Sequence, residues 1–181
     1  MLDFSKNYFE LFGLPVSYVV DAGLLAERYR ELQRSVHPDR FANATEQERR
    51  LSMQGAVRIN EAHQSLKDPV LRARYLLSLH GIDMDAQQET THDAAFLMEQ
   101  MMLREELESL GSKDDPYAAI SHFMAGVDDR ITALAEEMAG QFAEASPEQL
   151  AAARENLLKM QFLKKLYSDA ESLEAELDEA L

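Results

Sequence analysis

The spacing of its apolar residues restricts the fold of this 181-residue chain more than any other feature. They recur at intervals of three and four, most clearly in two runs: Leu25, Tyr29, Leu32 and Val36, and later Leu163, Leu166, Ala170, Leu173 and Leu177. Such spacing places apolar side chains on one face of a helix. The sequence shows no strand-like alternation, and its seven glycines and five prolines are few for a turn-rich β protein. We therefore predict an all-α fold.

Prolines, glycines and polar stretches mark where the predicted helices end. Helices are predicted over about 7–12, 22–36, 45–67, 70–79, 91–110 and 117–142, with a last one from Pro147 to the C-terminus. The polar residues 83–90 are the best candidate for a linker between two domains. We therefore predict an N-terminal helical domain over 1–82, the linker over 83–90 and a three-helix bundle over 91–181.

The net charge of −15 is distributed unevenly along the chain. Residues 1–82 hold 11 Lys and Arg against 10 Asp and Glu, whereas residues 83–181 hold 7 against 23. So acidic a second half disfavours binding to the phosphates of nucleic acid. The acidic surface either keeps the protein soluble or has a functional role, and both interpretations stay open at this point.

The absence of cysteine excludes several classes of protein. A chain without Cys has no disulfide framework, no Cys-ligated zinc or iron–sulfur cluster and no thiol catalysis. The histidines are scattered and lack the His-Glu-x-x-His spacing, so we expect no metal site and no cofactor. No apolar run is long enough for a membrane span, and the N-terminus lacks the apolar core of a signal peptide. We expect a cytoplasmic protein that does not bind membranes.

The strongest motif is the tetrapeptide His37-Pro38-Asp39-Arg40 between two predicted helices, and we predict that it forms a loop. Pro38 ends the preceding helix because the residue before proline is pushed out of the α region. The outer side of that helix carries three arginines: Arg28, Arg30 and Arg34. Taken alone, His37 and Asp39 could be ordinary loop caps. A hydrolytic or metal role is disfavoured because a proline separates them.

The residues around this motif resemble the J domain of the DnaJ family. The resemblance is carried by Tyr8-Phe-Glu-Leu-Phe-Gly-Leu14, by the His-Pro-Asp tripeptide and by the run Ile59-Asn-Glu-Ala…Leu66-Lys-Asp-Pro69. Arg72-Ala-Arg-Tyr-Leu-Leu-Ser-Leu-His-Gly81 and Ala95-Phe-Leu-Met-Glu-Gln100 are similar to the HscB family, the J-type co-chaperones of iron–sulfur cluster assembly. The resemblance covers nearly the whole chain.

This resemblance implies a chaperone partner and no chemistry of the protein's own. J domains stimulate ATP hydrolysis by a DnaK-type chaperone, which in this family is HscA. The residues implied to contact it are His37, Pro38, Asp39, Arg40, Arg28, Arg30 and Arg34. Proline limits the conformations of the loop, and the arginines supply charge that steers the protein towards an acidic surface. Arg40 stands where many J domains have Lys. His63 stands where many have Tyr, which we interpret as a change in core packing.

The helix predicted over 91–110 has two apolar stripes on opposite sides. At about 100° per residue from Leu97, one stripe lies between about 220° and 280° and contains Phe96, Leu103, Leu107 and Leu110. The other lies between about 0° and 140° and contains Leu97, Met98, Met101 and Met102. A helix of a three-helix bundle needs only one apolar stripe. The second therefore faces a partner protein or packs against the N-terminal domain, and its methionines favour an adaptable partner surface.

The family resemblance implies that the second stripe binds a scaffold protein. In the HscB family this surface binds the iron–sulfur scaffold IscU, and the residues implied here are Leu97, Met98, Met101, Arg104, Glu105 and Phe162. Met102 departs from the family, in which an acidic residue is expected at this position. The expected protein is a non-enzymatic co-chaperone that stimulates HscA and delivers IscU to it, and we expect it to be a monomer.

Two other functions are weighed against this one. A general J protein that delivers unfolded polypeptides would have a glycine-rich linker and Cys-rich zinc repeats, and the sequence has neither. A helical enzyme that uses His37 and Asp39 would need a nucleophile or a set of metal ligands, and the sequence indicates none.

Overall fold

The structure, a computed structural model, describes residues 3–41, 44–84 and 93–179. All regular structure within these ranges is helical, which confirms the predicted fold class. The α-helices described there are α1 (Tyr8–Phe12), α2 (Ala22–Ser35), α3 (Glu46–Lys67), α4 (Pro69–Leu79), α5 (Ala94–Leu110), α6 (Pro116–Glu144) and α7 (Pro147–Glu179). The chain divides into two compact units, Met1–Ile82 and Asp83–Leu181. Of the predicted linker, residues 85–90 lie outside the described residues.

The first unit is built on an antiparallel pair of helices, α2 and α3, against which α1 packs, while α4 packs on α3. Its core consists of large side chains that are almost fully buried: Phe9, Phe12, Leu25, Ile59, Leu66 and Leu77. Each of its α-helices begins after a side chain that accepts a backbone hydrogen bond from the first turn: Asn7, Asp21, Thr45 and Asp68. Both ends of the α2–α3 pair are therefore well defined.

The second unit is a bundle of three helices that run up, down and up. A hydrogen bond of 2.9 Å from Tyr117 Oη, at the start of α6, to Asp178 Oδ1, near the end of α7, shows that these two helices are antiparallel. The buried core draws on all three helices: Leu103, Leu110, Ile120, Phe123, Val127, Leu163, Leu166 and Ala170. The five apolar residues predicted to share one face of the last helix lie in this core or pack against it, which confirms that prediction.

The prediction of a loop over His37-Pro38-Asp39-Arg40 is confirmed for His37 and wrong for the other three residues, because Pro38–Phe41 form one turn of 3-10 helix. The N–H of Arg40 closes this turn by donating to the carbonyl oxygen of His37 at 3.0 Å, and the fixed φ of proline suits the first position of such a turn. Other helix ends differ from the predictions by a few residues. No helix in the described part of the chain has both the length and the apolar character needed to cross a membrane.

Candidate functional site

The first candidate site is the turn that follows α2. The N–H of Asp39 donates to Nδ1 of His37 at 3.3 Å. The side chain of His37 is 58% exposed and that of Asp39 is 90% exposed. Nδ1 of His37 lies 3.6 Å from Oδ2 of Asp39. Because Nδ1 is used as an acceptor, the network assigns the proton of a neutral His37 to Nε2. The turn thus offers one donor and one acceptor to a partner.

Hydrogen bonds between α2 and α3 hold this turn in place. Oγ of the buried Ser52, on α3, donates at 2.6 Å to the carbonyl oxygen of Val36, the residue just before the turn. Further along the pair, Tyr29 Oη donates to Asn60 Oδ1 at 2.9 Å. The polar groups of the turn are therefore exposed while the backbone that carries them is anchored in the unit.

The arginines predicted to contact a chaperone are all exposed: Arg28, Arg30, Arg34 and Arg40. Nη1 of Arg28 lies 3.1 Å from a carboxylate oxygen of Glu31, with both side chains nearly half exposed. Nε of Arg34 donates to the carbonyl oxygen of Arg30 at 3.3 Å. These contacts orient the side chains along α2 and leave their charges close to water, where electrostatic attraction is long-ranged and weakened by salt.

His63 lies in the packing between the helices, which confirms the interpretation given to it from the sequence. Its ring stacks on that of Tyr29, with centroids 4.0 Å apart, and meets the ring of Phe12 edge-on at 6.5 Å. Burial, and then the positive charge of Lys67, lower the pKa of His63 below its ordinary value of 6.5.

The second candidate site is the exposed side of α5, termed here the methionine face and defined by Leu97, Met98, Met101 and Met102. These side chains are 38%, 69%, 66% and 69% exposed, in that order. The opposite side of the helix is buried through three residues, Phe96, Leu103 and Leu110. Both predicted stripes are thus confirmed, one in the core and one exposed. A contiguous exposed apolar patch of this kind is typical of an interaction surface.

The structure places Phe162, on α7, next to α5. Its half-buried ring meets Phe96 edge-on, with centroids 5.7 Å apart, and the guanidinium carbon of Arg104 lies 5.4 Å from its centroid. Glu105 is exposed on the same helix as Arg104. Three residues predicted from the family resemblance therefore lie on or beside the helix that carries the methionine face.

Sequence analysis missed two ion pairs that attach the start of α5 to the rest of the bundle. Nζ of Lys159 donates to Oδ2 of Asp93 at 2.6 Å, and Nη1 of Arg130 lies 3.1 Å from Oε1 of Glu99. The partners are distant in the sequence, so no local pattern joins them. Asp93 was the usable signal, because aspartate is a frequent helix cap, but the helix was predicted to begin at 91 and so included it.

The described parts of both units hold no group of three or more His, Asp or Glu side chains arranged to bind a metal ion. The turn and the arginines of α2 offer hydrogen bonds and charge, and the methionine face offers apolar area. Both are suited to recognising other proteins.

An antiparallel pair of helices with an exposed His-Pro-Asp turn at its end defines a J domain, so the class of protein is a J-type co-chaperone. The sequence model described as "HSCB C-terminal oligomerisation domain" matches residues 92–180. A relative from Shewanella woodyi, named Co-chaperone protein HscB homolog, is 44% identical over 168 residues, which are 93% of this chain and 97% of the relative.

Solved structures agree with these sequence matches. The chaperone HscB from Vibrio cholerae superposes with a TM-score of 0.85 at 45% identity, covering 95% of this chain and 99% of that one. The human co-chaperone protein HscB superposes with a TM-score of 0.83 at 28% identity, covering 93% and 82%. The chain belongs to the HscB family, and it is a J-protein co-chaperone of iron–sulfur cluster assembly.

Proposed function

We propose that this co-chaperone stimulates ATP hydrolysis by the DnaK-type chaperone HscA and delivers the scaffold protein IscU to it. The observation that carries the proposal is the presence, in one chain, of an exposed His-Pro-Asp turn and an exposed methionine face, each in its own unit. The two surfaces suit partners of different chemistry. A chain that binds both partners raises the local concentration of scaffold at the chaperone without any new contact between them.

The turn supports a contact that acts on the state of the chaperone. The exposed arginines of α2 favour fast, salt-dependent association with an acidic surface. The donor and acceptor of His37 and Asp39 then add short-range, directional hydrogen bonds. Because the bond from Ser52 already fixes the backbone at Val36, less conformational entropy is lost when the turn is bound than if this residue were unanchored. If the chaperone has two conformations and the turn binds one of them more tightly, the contact shifts the equilibrium towards that conformation.

The methionine face supports a contact whose affinity comes from apolar burial. Covering exposed apolar area contributes about 25 cal/mol per Å². Thioether side chains adjust their shape to a partner more easily than branched ones. Arg104, held over the ring of Phe162, and the exposed Glu105 would supply polar contacts at the border of the patch.

An ATPase assay tests the chaperone half of the proposal. His37→Gln should abolish stimulation of HscA, while circular dichroism shows unchanged helix content, because an exposed turn residue changes stability by only about 0.5 kcal/mol. His80→Gln is the matched control, since His80 is also exposed and lies at the end of α4 in the same unit. Normal stimulation by His37→Gln would reject this half, and unfolding of the variant would show that His37 is structural.

A binding titration tests the scaffold half. Changing Leu97, Met98 and Met101 together to Ala should weaken IscU binding roughly a hundredfold or more, because each buried anchor contributes of order 1–2 kcal/mol. Alanine has a high helix propensity, so α5 should persist. The matched control replaces three exposed apolar residues of the first unit by Ala: Val19, Met53 and Val57. The control should bind IscU normally.

Two results would contradict the scaffold half. A normal IscU affinity together with a melting temperature lowered by several degrees would show that the methionine face packs within the protein. The description of the matching sequence model names an oligomerisation domain. The second test is therefore whether the methionine face mediates self-association of this chain. If sedimentation shows that the triple change converts an oligomer to a monomer while IscU affinity stays normal, the face joins copies of this chain.

A further inference from the structure

The first half of α5 carries the methionine face, and it is held to the bundle differently from the second half. In the second half, Leu103, Leu107 and Leu110 lie in or against the packed core. In the first half, a crevice of about 320 Å³ lies beside the buried Phe96, lined by Ala133, Leu134 and Leu163 of the other two helices. Close packing therefore secures α5 less completely on that side, where Phe96 is the buried contact.

Two ion pairs border this crevice and connect the first half of α5 to both neighbouring helices. Lys159 of α7 reaches Asp93, the residue that caps α5, and Arg130 of α6 reaches Glu99. Lys159 is the less exposed of the two cations, with 22% of its side chain exposed compared with 46% for Arg130. A charge-assisted hydrogen bond is stronger where water is partly excluded, so we expect the pair at Asp93 to contribute more.

Lys159 acts on the start of α5 through two groups. Oδ2 of Asp93 accepts from Lys159, while Oδ1 of the same carboxylate accepts from the N–H groups of Ala95 and Phe96, each at 3.1 Å. The ammonium also lies 5.5 Å from the centroid of the Phe96 ring, within range of a cation–π contact. One cation thus orients both the cap that begins the helix and the aromatic ring that docks it. The hydrogen bond from Lys159 is the largest cause that keeps the pKa of Asp93 below its ordinary value of 3.8.

We propose that Lys159 is a positioning residue for scaffold binding, because through Asp93 and Phe96 it fixes the first turns of α5 and so the presentation of the methionine face. The inference rests on the proposed binding of IscU. Helix ends fray when their caps are weakened, and Leu97 and Met98 lie in the first two turns. A frayed helix start would have to be ordered when the scaffold binds, which lowers the affinity.

Three substitutions on α7 test this inference. Lys159→Met removes the ammonium and keeps an unbranched side chain of similar length. Lys165→Met is the matched control, because this substitution makes the same change in net charge. Lys165 pairs with Asp169 of its own helix at 2.6 Å, the same distance as that between Lys159 and Asp93. Lys159→Arg restores a cation near Asp93. The measurements are the dissociation constant for IscU and the hydrogen exchange of the amides of residues 95–98, both at neutral pH.

Lys159→Met should weaken IscU binding about three- to fivefold and speed exchange at residues 95–98, with little change in melting temperature. Lys165→Met should change neither quantity, and Lys159→Arg should recover most of the affinity. Normal affinity in Lys159→Met, beside a triple-alanine variant that has lost binding, would overturn the inference. An equal loss in Lys165→Met would also overturn it, because net charge would then be the cause. If the triple-alanine variant itself binds normally, the proposed scaffold surface fails and the inference falls with it.

Discussion

The His-Pro-Asp turn and the methionine face are built on different physical bases. The turn is a short polar segment in which the N–H of Asp39 donates to the ring of His37, and one serine of α3 anchors the residue that precedes it. The methionine face is an apolar stripe on a regular helix, and its position depends on how that helix is rotated and anchored. The turn lies in a unit with nearly balanced charge, whereas the methionine face lies in a strongly acidic one. Local chain geometry specifies the first surface, and helix rotation specifies the second.

Charge reversal on α2 should separate the two surfaces most strongly. Replacing both Arg30 and Arg34 by Glu should lower HscA stimulation at least about tenfold at low salt, because it turns attraction to an acidic partner into repulsion. IscU affinity should not change. Replacing Arg49 and Arg50 by Glu is the control, since these exposed arginines on α3 give the same change in charge. The measurement is the ATPase rate at about 50 mM and about 300 mM salt, where screening should reduce the defect. A defect that is equally large in the control would contradict a specific role for α2.

A smaller effect is expected from the serine that anchors the turn. Ser52→Ala leaves the carbonyl oxygen of Val36 without the hydrogen bond that Ser52 donates at 2.6 Å. We expect a loss of about 1–2 kcal/mol in the free energy of unfolding and a several-fold weaker stimulation of HscA. Ser78→Ala is the control, because Ser78 is exposed and bonds only within its own helix, to Tyr75. Urea denaturation and the ATPase assay provide the two measurements, and stimulation at the parent level in Ser52→Ala would show that the anchor does not matter.

A still smaller effect is expected at the edge of the methionine face. Met102 lies at about 140° on the helix, at the edge of the stripe, whereas Met101 lies at about 40°, near its centre. A charge at the edge of an interface keeps its water, and one at the centre loses it. Met102→Glu should therefore weaken IscU binding by less than about threefold, while Met101→Glu weakens it tenfold or more. Calorimetric titration of both variants checks this order, and an equal loss in both would place Met102 inside the contact.

The smallest effect concerns pH and belongs to the first unit alone. Because burial lowers the pKa of His63, the unfolded chain takes up a proton at higher pH than the folded one. The free energy of unfolding should therefore fall as the pH drops below 6.5. His63→Tyr keeps a ring stacked on Tyr29 and removes the titrating group. Urea midpoints at about pH 7.5 and about pH 5.5 should shift less in this variant than in the parent. An equal shift in both proteins would assign the pH dependence to other groups.

Features with a period of 3.6 residues were predictable from the sequence, and features made by distant or purely local hydrogen bonds were not. The two stripes of α5 follow from residue spacing alone, and the structure confirms which one is buried. The 3-10 turn after α2 depends on one backbone hydrogen bond that no composition reveals. Phe162 lies at the edge of the apolar face of its own helix, and its contacts with Phe96 and Arg104 place it beside α5. The roles given to the predicted residues came from family resemblance, because neither spacing nor burial names a partner.

The sulfur atoms of the methionine face give this surface a chemistry that a stripe of leucines would lack. Met98, Met101 and Met102 are well exposed to solvent, and the chain has no cysteine to react first. Peroxide converts a thioether to a sulfoxide, which adds a polar oxygen at the point where an apolar partner would sit, and reductases reverse the change. We therefore expect mild oxidation to convert this apolar patch into a polar one, and reduction to restore it, so that the patch responds to the oxidant level around the protein.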